Sequence, residues 1–529
     1  MTPTGRLSGL LQPVFSLRSA ADVGVGDFGA LDAFFKYLRY AEQRMLMVLP
    51  LLPTAPGDSS PYSTRSAFGL NPLFIHLAWL PEGVSFTDTE KKAIEEAKAS
   101  PTVRYDLVAP VKTAALERAF ATFEHQGPSA RNREFEEWTL AQRGWVEGFA
   151  LYQAISEAFS RKPWWEWPKG LATREPVALD IARHEHKRRV RYHTWLQWVA
   201  QSQWNKVRAQ AKARGVFLCG DEPFIIGMDS SDCWCWPQYL RRDAKLGVPP
   251  DDFSADGQDW GLPWFDFEAL EKAGDGWLKA RAKAAAATYD VRRIDHAIGY
   301  FRQYIRDEAT PRGRFVPSDE AAQQARGERS FRILSEGASI VAEDLGVIPR
   351  FARDTLARLK LPGYHVMRWS REDGVYRDPR HYAEVSLVTT GTHDTETLHA
   401  WWLNAQQWER EAVCRTWPEL KRFSSPPAFG PELHEALLRA ALNAQSGWCI
   451  LPWQDVFAET ERVNTPGTVS PNNWSYRMRV DVEELLTREE TVRVADWLAR
   501  LTREGRRSPT PQPVVSPPAL EEGPVRRLV

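Results

Sequence analysis

Three acidic residues of this 529-residue chain each follow a short β-like run. Asp295 ends Val291-Arg292-Arg293-Ile294, Glu343 ends Ser339-Ile340-Val341-Ala342, and Asp394 follows Val388-Thr389-Thr390-Gly391-Thr392-His393. They lie roughly fifty residues apart, about two strand–helix units of ordinary size or one enlarged unit. Acids spaced in this way can converge where parallel strands open onto one face. Such a trio suits retaining glycoside chemistry. An ionised carboxylate attacks the anomeric carbon, a protonated one donates to the leaving oxygen, and a separation of about 5–5.5 Å marks a covalent intermediate. A lone acid at a strand end is more often a helix cap or an ion-pair partner. The weight therefore rests on the constellation and its flanks.

The chain alternates strand-like and helix-like segments, the pattern of an α/β fold with a parallel sheet. Phe28, Leu31, Phe35 and Leu38 recur at helical spacing. Residues 45–52 and 73–80 are continuous apolar runs that read as strands buried on both faces. Residues 85–190 read as a helical insertion carrying Pro163-Trp164-Trp165-Glu166-Trp167, and its basic run 184–191 reads as a solvated helix face. A helix with Leu196, Ala200, Trp204, Val207 and Ala211 on one face closes at Gly215. Further strands are expected at 216–219, 291–296, 339–346, 364–369, 385–394 and 447–456. Eight candidate strands predict an α/β fold, a (β/α)8 TIM barrel with mostly helical insertions, over residues 1–505. An open doubly wound sheet is the second arrangement that this order allows. Residues 506–529, rich in Pro, Ser and charge, read as a disordered tail.

Charge is balanced, with 68 Lys plus Arg against 69 Asp plus Glu, so electrostatics point to neither nucleic acid nor an anionic membrane as partner. No run approaches the roughly 18 apolar residues of a membrane span. The fairly apolar stretch 7–17 is broken by Gln12-Pro13 and reads as structure, not as a leader. Cys219, Cys233, Cys235, Cys414 and Cys449 form neither a disulfide framework nor a zinc motif, which suits reduced thiols in the cytoplasm. The 23 tryptophans offer flat faces that could stack on sugar rings, although most should fill the core.

Several motifs carry a family resemblance. Arg293-Ile294-Asp295-His296 resembles the fourth-strand motif of the α-amylase clan. Ala342-Glu343-Asp344-Leu345-Gly346 and Gly391-Thr392-His393-Asp394-Thr395 resemble the fifth- and seventh-strand motifs of the amylomaltases, 4-α-glucanotransferases of glycoside hydrolase family 77. The early segment Ser60-Pro61-Tyr62-Ser63 with Asn71-Pro72, and Gly220-Asp221-Glu222-Pro223, are similar to that family too. So are Pro249-Pro250-Asp251 with Gly257-Gln258-Asp259-Trp260-Gly261, and Asn464-Thr465-Pro466-Gly467-Thr468 with Asn473-Trp474. The matches run in family order from about residue 7 to 500.

The resemblance implies a 4-α-glucanotransferase in which Asp295 is the nucleophile, Glu343 the general acid and then base, and Asp394 the transition-state stabiliser. Arg293, two residues before Asp295 and so on the same strand face, would favour its anionic form. Tyr62, Asp221, Arg293, His393 and Asn464 would contact substrate. Gln258 and Trp260 would lie on a loop at about 245–265 that covers the site and keeps water from the intermediate. The implied substrates are maltodextrins, starch- or glycogen-derived α-1,4-glucans and glucose. No metal or organic cofactor is called for. Two other readings remain open: an α-glucan hydrolase of the same clan, and a catalytically dead glucan-binding protein. The chain departs from the family at Glu222, where an aliphatic residue is usual, after Ser16-Leu17, across 308–330 and at Cys233-Trp234-Cys235-Trp236.

Overall fold

The computed structural model describes residues 3, 5–55, 57–249, 257–307, 313–346, 348–372 and 374–508. Eight parallel strands form its centre: β1 (Leu7–Leu11), β2 (Met45–Val48), β3 (Phe217–Glu222), β4 (Val291–Ile294), β5 (Ser339–Ala342), β6 (Gly363–Val366), β7 (Ser386–Thr389) and β8 (Trp448–Pro452). Their spatial order is β6-β7-β8-β1-β2-β3-β4-β5. Every neighbour is thus the next strand in sequence, and the Ala342 N–H donates to the Pro362 carbonyl at 2.8 Å between β5 and β6. That order is a nearly closed (β/α)8 barrel and rules out the doubly wound sheet.

One of the eight expected strands is wrong. The apolar run 73–80 forms two 3-10 turns, Pro72–Phe74 and Leu77–Trp79. Side chains, not a neighbouring strand, satisfy much of its backbone. Gln203 accepts from the His76 N–H and donates to the His76 carbonyl, while Lys112 Nζ donates to the carbonyls of Leu73 and Ile75. The missing strand is β1, within the stretch that reads as ordinary structure. There Gly9 lies so close to β2 that a Cβ would sit 2.2 Å from the Met45 carbonyl oxygen.

Helices Asp88–Ala99, Tyr105–His125, Ala130–Ala158, Pro176–Glu185 and Lys187–Ala213 fill the connection from β2 to β3. The last of these, Lys187–Ala213, carries most of the basic run and, on the buried face of Leu196, Ala200, Trp204, Val207 and Ala211, continues onto the barrel. Arg188, Arg189 and Arg191 in that run pair with Glu124, Glu117 and Glu157, and Glu136. The unusual Trp234 anchors this layer: its indole donates to the Leu171 carbonyl at 2.9 Å, and Arg174 stacks over its ring.

The described residues of the expected covering loop are mostly strand. Leu240–Val248 and Gln258–Phe265 pair antiparallel, in a four-stranded sheet with Gln303–Arg306 and Arg314–Val316. Residues 250–256 of that expected loop, and 308–312 of the departing segment, lie outside the described residues. Pro263 misleads a sequence reading because it sits where the hairpin register breaks, between the Leu246–Leu262 and Arg241–Trp264 pairs. Between β6 and β7 the described residues contain no α-helix, only 3-10 turns and a two-residue ladder.

The expected tail begins too early. Arg507 is fully buried and donates to the carbonyls of Leu7, Leu442, Ala444, Ser446 and Gly447 at 2.7–3.3 Å. Residues 509–529 lie outside the described residues. Arg507→Ala should cost about 2–4 kcal/mol, because it strands several buried carbonyls. A chain ending at Arg506 should lose at least as much. Guanidinium-chloride unfolding midpoints check this, and an unchanged midpoint for both would show that Arg507 ties nothing down.

Candidate active site

The three acids stand at the C-terminal ends of β4, β5 and β7, and two of them, Asp295 and Glu343, share one cation with Asp221. Arg293, near the end of β4, is directly opposite Asp221 of β3 in the strand register. Its Nη1 lies 2.6 and 2.7 Å from the two Asp221 oxygens and 3.1 Å from Asp295 Oδ1. Its Nη2 is 3.9 Å from Glu343 Oε1. Burial disfavours a charged guanidinium, but Asp221, Asp295 and Glu343 outweigh that and hold Arg293 firmly protonated. The Tyr364 ring lies beneath it, 5.5 Å from the guanidinium carbon.

Glu343 is set by β5 and by the turn after β4. His296 adopts a left-handed backbone with φ 44°, a strained choice for a non-glycine residue. This turn brings the His296 N–H to Glu343 Oε2 at 2.7 Å. Burial pushes the Glu343 pKa up to about 8, with Asp295 adding to the rise and Arg293 opposing it. Glu343 is consequently a neutral acid near pH 7.

Asp394 has the opposite environment. Burial would raise its pKa, but His393 at 3.2 Å and the Asn464 amide donating at 2.6 Å hold it well below the usual carboxylate range. The Asn464 N–H also donates to the His393 carbonyl at 3.0 Å. Asn473, from the same C-terminal motif, bonds the backbone of Thr465 and Thr468 and shapes the loop that carries Asn464.

Tyr62 joins the two halves. Its hydroxyl donates to Asp221 Oδ2 at 2.8 Å. Its ring stacks on His393, 5.1 Å between centroids, and tilts against Trp474. Trp260 meets the site from the accessory sheet, edge-on to the His296 ring at 4.8 Å, and donates its indole N–H to Gln258 at 3.1 Å. Gln258 itself is exposed.

Of the expected substrate-contacting residues, Asp221 differs most. It is buried, and both its oxygens are engaged by Arg293 and Tyr62, so it positions Arg293. The site also holds residues beyond those expected, among them His296, Trp474 and Arg462, which donates to the Asp394 carbonyl at 2.6 Å. His296 and Trp474 stand inside the quoted motifs, the only signal that could have found them. The departure at Glu222 is also explained. Its carboxylate pairs with two buried arginines, Arg281 at 2.8 Å and Arg292 at 3.1 Å, where an aliphatic residue would leave both without a counter-charge.

A barrel that sets a neutral acid, an anionic acid and a cationic clasp at its strand ends has the equipment of an enzyme acting on glycosidic bonds. The chain belongs to glycoside hydrolase family 77, whose model, described as 4-alpha-glucanotransferase, matches residues 12–483. It is 31% identical to the 4-alpha-glucanotransferase of Chlamydia pneumoniae over 494 residues, covering 90% of this chain and 92% of the relative. It is 33% identical to that of Synechocystis over 493 residues, covering 90% and 94%. The fold superposes on the amylomaltase from Streptococcus agalactiae in complex with acarbose with a TM-score of 0.80 at 28% identity, covering 95% of this chain and all of that one. The chain is thus an enzyme with 4-α-glucanotransferase activity.

An acid with a pKa of about 8 loses its proton as pH rises through that value. The kcat/KM for maltotriose should therefore fall roughly tenfold per pH unit above about 8. A flat profile up to about pH 10 would count against Glu343 as a group that must carry a proton.

Proposed function

We propose that the chain moves a segment of an α-1,4-glucan to the 4-OH of another glucan, or of glucose, by a retaining double displacement. The observation that carries this reading is the shared clasp: one buried guanidinium contacts Asp221 and Asp295 and approaches Glu343, which burial keeps protonated. Asp295 attacks the anomeric carbon while the Glu343 proton passes to the departing glycosidic oxygen. The donor's reducing-side piece leaves with a free 4-OH, and a glucosyl ester remains on Asp295. An acceptor 4-OH then gives its proton to Glu343 and attacks the same carbon, which releases Asp295. Asp394, anionic beside His393, would hydrogen-bond the sugar hydroxyls as positive charge develops on the ring. Arg293 would hold Asp295 in line, with Asp221 and Tyr62 positioning it.

Maltodextrins and starch- or glycogen-derived chains are the donors this chemistry suits. The carboxylates supply nucleophile, acid and base within the protein. Five unpaired cysteines support a reducing compartment, the cytoplasm.

Asp295→Asn should lower transfer from maltotriose by about a thousandfold or more, since an amide is a poor nucleophile and no other group occupies its place. Activity within about tenfold of the parent would remove Asp295 from that role.

Trp260 separates transfer from hydrolysis. An indole above His296 could cover the acceptor sugar, whereas water needs no such platform. Trp260→Ala should cut transfer by roughly five- to tenfold and raise the share of glucose released by water. The ratio of longer maltodextrins to total reducing ends measures it, and an unchanged ratio would make Trp260 a packing residue or one serving the donor alone.

A further inference from the structure

The wall of the barrel is open along β6. Helix Arg350–Arg358, after β5, and helix Leu398–Asn404, after β7, flank a slot where a (β/α)8 barrel ordinarily seats its sixth helix. The described residues between β6 and β7 place only turns and the short ladder there. What remains is a groove of about 1550 Å³. Leu356 and Arg353 line one side, Trp401 and Asn404 the other, and Lys360 and Val385 its lower end.

Two features give the groove a chemistry. Its exposed side chains interleave flat aromatic faces with hydrogen-bonding groups. Trp369 in the groove is 52% exposed and Trp408 at its rim 55%, and Arg371 lies over the Trp408 ring at 5.6 Å. Arg371 also bonds Glu409 and the Tyr376 hydroxyl, and Glu372 and Arg377 stand 3.7 Å apart beside it. Large indoles left facing solvent among such polar groups suit a sugar ring, whose apolar face stacks while its hydroxyls are satisfied at the edge. The groove is also continuous with the reacting site. Asp394, Thr395 and Arg462 line its upper end, and Arg462 bonds the Asp394 backbone.

We propose that this groove is an accessory α-glucan-binding site, with Trp369 and Trp408 as stacking platforms, that holds a distal part of a long chain whose other end is engaged at the carboxylates. The proposal rests on the glucanotransferase reading of the carboxylate site, and it adds a preference for long chains. A short glucan spans the reacting centre alone and gains nothing from the groove. A long one gains from both, since the second contact is made within one complex.

The test compares kcat/KM on maltotriose and on amylose for the parent, Trp369→Ala and the Trp369→Ala/Trp408→Ala pair, with sedimentation velocity and thermal unfolding on each. The expected result is a loss of about tenfold on amylose, with maltotriose changed by less than about twofold and unfolding unaltered. Equal losses on both substrates, or none on either, overturn the proposal. So does a change in sedimentation coefficient on substitution, which would make the groove a contact between copies of the chain. So would amylose use that rises to a new level when residues 509–529 are removed, which would make that segment the occupant. A parent that makes no longer products from maltotriose would instead refute the carboxylate mechanism, a result distinct from all of these.

Discussion

Arg293 brings one positive charge into a space shared by three carboxyl groups. Asp221 and Asp295 are its direct partners, and Glu343 stands a step further away. One buried cation is shared by three carboxyl groups, and the one furthest from it gains least from the pairing. Glu343 is that group, and burial, with Asp295 adding to it, raises its pKa. A neutral Glu343 and an arginine-paired Asp295 thus stand around one guanidinium. Asp394 escapes the competition because it has its own partners, the His393 ring and the Asn464 amide.

The barrel makes this arrangement possible by register. Asp221 and Arg293 are opposite one another across β3 and β4, and Ile294 is opposite Ala342 across β4 and β5. Residues adjacent in the wall are therefore aimed at the same volume. The alternation along β4 sends Arg293 inward and Arg292 outward, where Glu222 and Arg281 meet it. Two buried charge clusters lie back to back on one strand, one organising the site and one joining the wall to the helical layer. The strained turn at His296 then adds a backbone donor to Glu343 and a ring for Trp260. The accessory sheet on one side and the open slot beside β6 on the other leave the strand ends reachable by a chain of sugars.

The misreadings share a cause. Residues 73–80 have the composition of a buried strand, and nothing local distinguishes them from one. Gln203 and Lys112, both more than thirty residues away in sequence, replace the ladder. Gly261 and Pro263 have the composition of a loop, yet pairing of 258–265 with 240–248 makes strand of them. Arg507 reads as the start of a charged tail until five carbonyls from distant segments are seen around it. In each case the deciding hydrogen-bond partner is remote in sequence.

The sequence by itself determined the barrel class, the three carboxylates and their motifs, since strand-end placement and residue order are local properties of the chain. It also carried Arg293 and Asp295 onto one face, because alternation along a strand needs no tertiary contact. What only the tertiary structure decided is which acid holds a proton, that Asp221 clasps Arg293, that Tyr62 bridges Asp221 to His393, and that the wall beside β6 is open. Protonation, hydrogen-bond partnership and vacancy depend on burial and on distances between segments scores of residues apart, and neither quantity exists until the chain has closed on itself.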